Sequence, residues 1–145
     1  MTYQQTVKDI ETTLGLMPEF LKLIPPDALE LEWGLFKRVQ LAETPVPNKY
    51  KELIGLGIAA ATKCRYCTLF HTEVARLNGA SEEEIRDALQ YAKAVAGWST
   101  WINGAQMDYQ TFGKELMAIC THVAKQQGVP APKEGPLELA PVAHA

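Results

Sequence analysis

Two cysteines three residues apart stand ahead of a histidine in the run Cys64-Arg65-Tyr66-Cys67-Thr68-Leu69-Phe70-His71. On a helix, offsets of three, four and seven share one face, so Cys64, Cys67 and His71 point the same way and Val74, Ala75 and Asn78 continue the stripe. Thr62 or Lys63 occupies the position expected for the N-cap of that helix. Both thiols then lie in the first turn, where unpaired N–H groups and the positive end of the helix dipole favour a thiolate. Lys63 and Arg65 add positive charge beside it. The second thiol can resolve a sulfenic acid or a mixed disulfide made on the first. The acid/base group is Glu52, twelve residues before Cys64 in a segment that is otherwise nearly all apolar. A carboxylate in such a helix is unfavourable unless it is paired. If the chain reverses just before Cys64, Glu52 approaches His71 across the hairpin and a relay Glu52, His71, Cys67 forms.

The same residues admit blander roles. Cys64, Cys67, His71 and Glu52 add up to four possible zinc ligands, but structural zinc sites usually draw two ligands from each of two separate short motifs. A thioredoxin-like site would need strands around the motif, and none are readable. A purely structural thiol pair does not call for a carboxylate and a histidine beside it. Cys120 falls between Ile119 and Val123 on the stripe of its helix and reads as a packed hydrophobe. Trp98 and Trp101, three apart, fit a core or a subunit interface better than a substrate pocket. Tyr66, at offset two from Cys64, turns away from the cysteine face. His122 and His144 have no partner in the pattern.

The elements that must position this constellation are helical: apolar residues recur at three and four, and no run alternates at period two. A first helix covers Tyr3–Leu14, with Val7, Ile10 and Leu14 on one side, and a short one follows at 18–23. A third carries Leu29, Trp33, Phe36 and either Val39 or Gln40 along one stripe until Pro45 and Pro47 close it. Residues 48–62 are apolar almost all round, the pattern of a central helix. The motif helix, 64–78, stops at Asn78-Gly79, and Ser81 with Glu84 makes a capping box for the next. That helix runs through Ile85, Leu89 and Val95, with a bend expected near Gly97 before Trp101 and Ile102. A last helix spans 108–127, with Phe112, Leu116, Ile119, Cys120 and Val123 at core spacing. The expected architecture is an all-α single-domain bundle of about six or seven helices over 1–128, followed by a Pro-rich tail over 129–145.

The 145 residues are 47% hydrophobic and 21% charged, with 14 basic against 17 acidic side chains and a formal charge of −3. Such apolar content excludes a disordered chain. A mildly acidic chain without a Lys/Arg cluster lacks the footprint that nucleic acid or an anionic membrane demands, so neither is expected as a partner. The N-terminus shows no signal-peptide pattern, and no apolar run approaches the roughly 20 residues that span a bilayer. A reducing cytoplasm is the expected location, where cysteines mean chemistry, metal or packing before a structural disulfide.

Glu52, eleven intervening residues, then Cys64-x-Tyr66-Cys67-x-x-x-His71 resembles the signature of the alkylhydroperoxidase D (AhpD)-like branch of the carboxymuconolactone decarboxylase superfamily. The flanking Leu53-Ile54-x-Leu56-x-Ile58-Ala59-Ala60-Ala61 and Gly79-Ala80-Ser81 resemble it too. The resemblance implies that Cys67 is the peroxidatic thiol, that Cys64 is its disulfide partner and proton donor, and that Glu52 and His71 form the proton relay. It implies a thiol-dependent antioxidant oxidoreductase acting on a small peroxide or disulfide, with no bound cofactor, an external dithiol or reducing partner protein, and a homo-oligomer built as a trimer or hexamer. One position departs: Tyr66 stands where the best-known members carry a second histidine. A phenol cannot shuttle protons near neutrality as an imidazole can, which weighs against strong peroxidase turnover. Two alternatives accompany this expectation, a decarboxylase of a small lactone and a non-redox zinc-binding or structural protein of the same fold. Decarboxylase members typically lack the C-x-x-C pair.

Overall fold

The computed structural model describes residues 2–132. Among the described residues there are seven α-helices, one π-helical turn and no strand: α1 Tyr3–Leu14, α2 Glu19–Lys22, α3 Leu29–Phe36, the π-helical turn Lys37–Leu41, α4 Asn48–Ala61, α5 Arg65–Leu77, α6 Glu82–Gly104 and α7 Tyr109–Gln127. The fold is all-α, as the periodicity predicts. The chain divides into two compact units, one through Lys93 and one from Ala94. This division falls inside the span expected as one domain, and all but four residues of the expected tail over 129–145 lie outside the described residues.

In the first unit, a capping box of Thr2 and Gln5 opens α1, and Gly15, left-handed at φ 82°, ends it. Ile10, Leu21, Leu29 and Trp33 form one buried cluster, with Val7, Met17, Ile24 and Phe36 packed against it. Asp9 ties α1 to the end of α3: its Oδ2 accepts from Trp33 Nε1 at 2.7 Å and from Lys37 Nζ. Beyond Phe36 the stripe continues on the same side, Val39 and Gln40 lining one cleft with Phe36, but it is no longer buried: Val39 is 51% exposed. There the chain widens into the π-helical turn, closed by the Ala42 N–H donating to Lys37 O at 2.8 Å.

The second cluster forms around the hairpin of α4 and α5. Leu56, Ala75, Ala80 and Ile85 are buried there, with Leu53 and Leu89 against them. α4 is not the fully covered central helix its composition suggests. It buries only Glu52, Leu56 and Ala59, a stripe at offsets of four and seven, while Ile54 and Ile58 are 56% and 60% exposed. Only one face meets α5, and the apolar residues on the other side line an open groove. α6 begins with the expected capping box: the Glu84 N–H donates to Ser81 Oγ at 3.1 Å and the Ser81 N–H to Glu84 Oε2 at 2.8 Å. Lys49 Nζ also reaches Glu84 Oε1 at 2.7 Å, tying α4 to α6.

α6 runs unbroken past Gly97. In the second unit, Asp108 caps α7 by accepting from the Thr111 N–H at 2.8 Å, and Gly128, at φ 67°, ends the helix. Its expected core stripe is largely uncovered. Leu116, Ile119 and Val123 are exposed and Cys120 is half-buried, while Gly113 and Ala124 are the buried residues of α7. Among the described residues no helix is long and apolar enough to cross a membrane.

Candidate functional site

The site is built on the α4/α5 hairpin, whose reversal is three residues long. Lys63 adopts the left-handed conformation at φ 58°, its N–H donating to Ala60 O at 3.2 Å while the Cys64 N–H donates to Ala59 O at 3.0 Å. This left-handed closure of α4 consumes Lys63, so neither Thr62 nor Lys63 caps α5. Cys64 itself is the N-cap, with extended backbone and its sulfur accepting from the Cys67 N–H at 3.2 Å. Cys67 thereby stands in the first helical turn, with its N–H satisfied by sulfur. Cys64 and Cys67 are joined as a disulfide, with Cα atoms 5.4 Å apart, within the range a bridge requires.

The hairpin also brings Glu52 to His71. The two are nineteen positions apart in sequence, and Nδ1 of His71 lies 2.7 Å from Oε2 of Glu52. Glu52 is 2% exposed, so the imidazole is what makes its burial tolerable. With Glu52 ionised, Nδ1–H donates to the carboxylate, which fixes the tautomer and leaves Nε2 as the accepting nitrogen. Phe70 meets the imidazole edge-on, ring centroids 5.2 Å apart. One face of the ring lies on Gly55. A Cβ at that position would stand 2.5, 2.6 and 2.8 Å from Cε1, Nδ1 and Nε2 of His71, closer than real Cβ atoms approach.

Glu52, Gly55, Cys67 and His71 line one open cavity of about 600 Å³. α4 supplies its floor, and Arg38, Val39, Thr44 and Val46 supply a wall from the π-helical turn and the segment after it. The four residues singled out by spacing therefore cluster: three line the groove and Cys64 is bonded to one of them. Tyr66 does not join them. It is 73% exposed, its hydroxyl accepts from Arg65 Nη2 at 2.9 Å, and the Arg65 guanidinium lies over its ring. Among the described residues no three His, Cys, Asp or Glu side chains are grouped to hold a metal ion. Sequence reasoning missed Gly55, whose only signal is a glycine inside an apolar helix. It also missed the Arg38 wall, because nothing local to Cys64 announces a segment 26 positions away.

Comparison with known proteins bears on this geometry. The carboxymuconolactone decarboxylase family matches the chain over residues 27–107, more than half of its length. No curated protein matches it. Among solved structures, the alkylhydroperoxidase AhpD core from Rhodospirillum rubrum is similar, with a TM-score of 0.65 and 23% identity over 73% of this chain and 81% of that one. At that identity the likeness concerns the fold. The matched span contains the whole hairpin and the groove wall.

Proposed function

This chain belongs to the carboxymuconolactone decarboxylase family, and from that premise we propose that it is a thiol-dependent oxidoreductase of the alkylhydroperoxidase kind, consuming peroxides through Cys67 and Cys64. The observation that carries this reading is the buried Glu52–His71 hydrogen bond opening onto the same groove as Cys67, one helical turn from His71. In the reduced protein, His71 accepts the Cys67 proton through Nε2, and Glu52 stabilises the imidazolium that results. The thiolate attacks the outer oxygen of a hydroperoxide, the O–O bond breaks, and the alcohol leaves with the proton His71 held. Cys67 is then a sulfenic acid. Cys64 sulfur attacks it, releasing water, and the intramolecular disulfide forms. Two electrons from an external dithiol, delivered by a reducing partner, restore both thiols. The pair is suited to a reducing cytoplasm, and no bound cofactor takes part.

The test is a thiol titration of reduced protein before and after one equivalent of cumene hydroperoxide. Two thiols should disappear per chain, both in the peptide carrying Cys64 and Cys67, and dithiothreitol should return them. Retention of all three thiols, or a disulfide involving Cys120 as the main product, would overturn the proposal. A second reading, decarboxylation of a small lactone, is favoured by the family match itself. It differs in that Cys64→Ser would leave lactone turnover intact, whereas peroxide reduction through a disulfide would stop after one turnover.

A further inference from the structure

The groove beside the Glu52–His71 pair holds chemistry that peroxide reduction alone does not use. Its volume of about 600 Å³ suits a small organic molecule, far more than hydrogen peroxide requires. Val39, Val46, Ile54, Ile58 and Ala59 make its lining predominantly apolar. Two cations stand among them, Arg38 and Lys51. Lys51 Nζ donates to Ala42 O at 2.7 Å and to Asn48 Oδ1 at 3.0 Å, so its hydrogen bonds go to neutral groups. Arg38 has no hydrogen-bond or ion-pair partner among the described residues. Among the described residues, Glu52 is the only carboxylate lining the groove, and His71 already engages it. An apolar cleft is thus left with two cationic side chains that no carboxylate among the described residues answers.

The geometry points to an amphiphilic organic anion as the occupant: a hydroperoxide on an apolar chain, whose carboxylate pairs with Arg38. This rests on the peroxidase reading of the same site. A guanidinium is the side chain best shaped for a carboxylate, through two parallel N–H···O bonds, and apolar walls strengthen the pairing by excluding water. The chain lies along Ile54, Ile58 and Val46 with its peroxide at Cys67. The chemistry is unchanged. The thiolate takes the outer peroxide oxygen, the alcohol leaves with a proton, and the carboxylate is untouched.

The test compares the hydroperoxide of linoleic acid with that of its methyl ester, both below micelle formation, as rates of Cys67 oxidation in reduced full-length protein. The free acid should react about tenfold faster or more, the size expected for a charge-assisted contact. Arg38→Gln should bring the acid-to-ester ratio close to one, while Arg38→Lys keeps part of it. Because each ratio is taken within one variant, misfolded protein lowers both rates and leaves the ratio alone. A second measurement needs no peroxide: decanoate and methyl decanoate as protectants of Cys67 against iodoacetamide, with decanoate expected to win in the wild type and to lose its advantage in Arg38→Gln. Acid and ester reacting alike, with Arg38→Gln altering neither assay, would overturn the inference and leave the peroxidase reading standing. Protection by decanoate through Arg38 without oxidation by any hydroperoxide would support the anion-selective groove and overturn the peroxidase reading.

Discussion

A buried carboxylate persists in a helix only if its desolvation is offset, and at Glu52 the offset comes from one imidazole 2.7 Å away. Gly55 sets where that imidazole can lie. Replacing an interior helical glycine by alanine ordinarily gains about 1 kcal/mol. At Gly55 the new methyl would enter the His71 ring, and overpacking of this kind costs about 1–3 kcal/mol, so the sign reverses. Gly34, whose added Cβ meets nothing within 4 Å, supplies the control that should stabilise. If Glu52 and His71 activate Cys67, then Glu52→Gln, His71→Ala and Gly55→Ala should each slow peroxide oxidation of the reduced thiol at pH 7. The effect should be much smaller at pH 9, where solvent alone ionises the thiol. General acid/base assistance is typically worth about 10² to 10⁴ in rate, so a loss below about tenfold in folded variants is too small for the role. Glu52→Gln combined with His71→Ala should be no worse than the poorer single variant, because members of one relay fail together. Wild-type rates in folded Glu52→Gln and His71→Ala would make the pair structural.

At the scale of the elements, the wall of the groove depends on how α3 passes into the π-helical turn, and Asp9 holds that junction. Its carboxyl is kept below the ordinary value of 3.8, first by the hydrogen bond from Lys37 and then by that from the Trp33 indole. A carboxyl with a depressed native pKa contributes stability that is complete above its unfolded value and is lost as pH falls through the native one. Asp9→Asn should therefore lower the thermal midpoint at pH 7, and the gap to wild type should narrow below about pH 4. A gap that stays constant from pH 7 to pH 3 would show that the carboxylate charge is not what stabilises the junction. The junction also marks where sequence stops being informative. α1, bounded by a capping box and a left-handed glycine, and the start of α6, with Ser81 and Glu84, were legible to the residue because local hydrogen bonding decides them. The π-helical turn was not, since no residue type in 37–41 encodes an i→i+5 bond. The α4/α5 reversal was legible in place but not in mechanism. It uses a lysine in the left-handed conformation where glycine is the usual marker, and this moved the N-cap onto Cys64. The pairing of Glu52 with His71 could be anticipated because a helical hairpin fixes which positions meet, whereas Arg38 comes from a separate segment whose approach only tertiary packing determines.

At the scale of the whole molecule, residues 94–132 expose what a folded chain usually covers. Trp98 and Trp101 are 65% and 69% exposed, and Leu116, Ile119 and Val123 stand on the uncovered stripe of α7. Exposed apolar stripes mark interaction sites, and aromatic side chains are what subunit interfaces favour. A second copy of the chain is the expected cover, since closed symmetric assembly needs no other gene product. Light scattering at micromolar concentration should therefore give a mass that is a multiple of 16.0 kDa, a trimer or hexamer being expected. Trp98→Glu with Trp101→Glu places two like charges in that surface, and burying an unpaired charge is strongly unfavourable, so the assembly should fall apart. Both residues are already exposed within the chain. Circular dichroism of the double variant should accordingly stay helical while its thermal midpoint drops and loses the protein-concentration dependence that an oligomer imposes. A wild-type protein that is monomeric, or a double variant that keeps the full assembly mass, would show that this surface is not where copies meet.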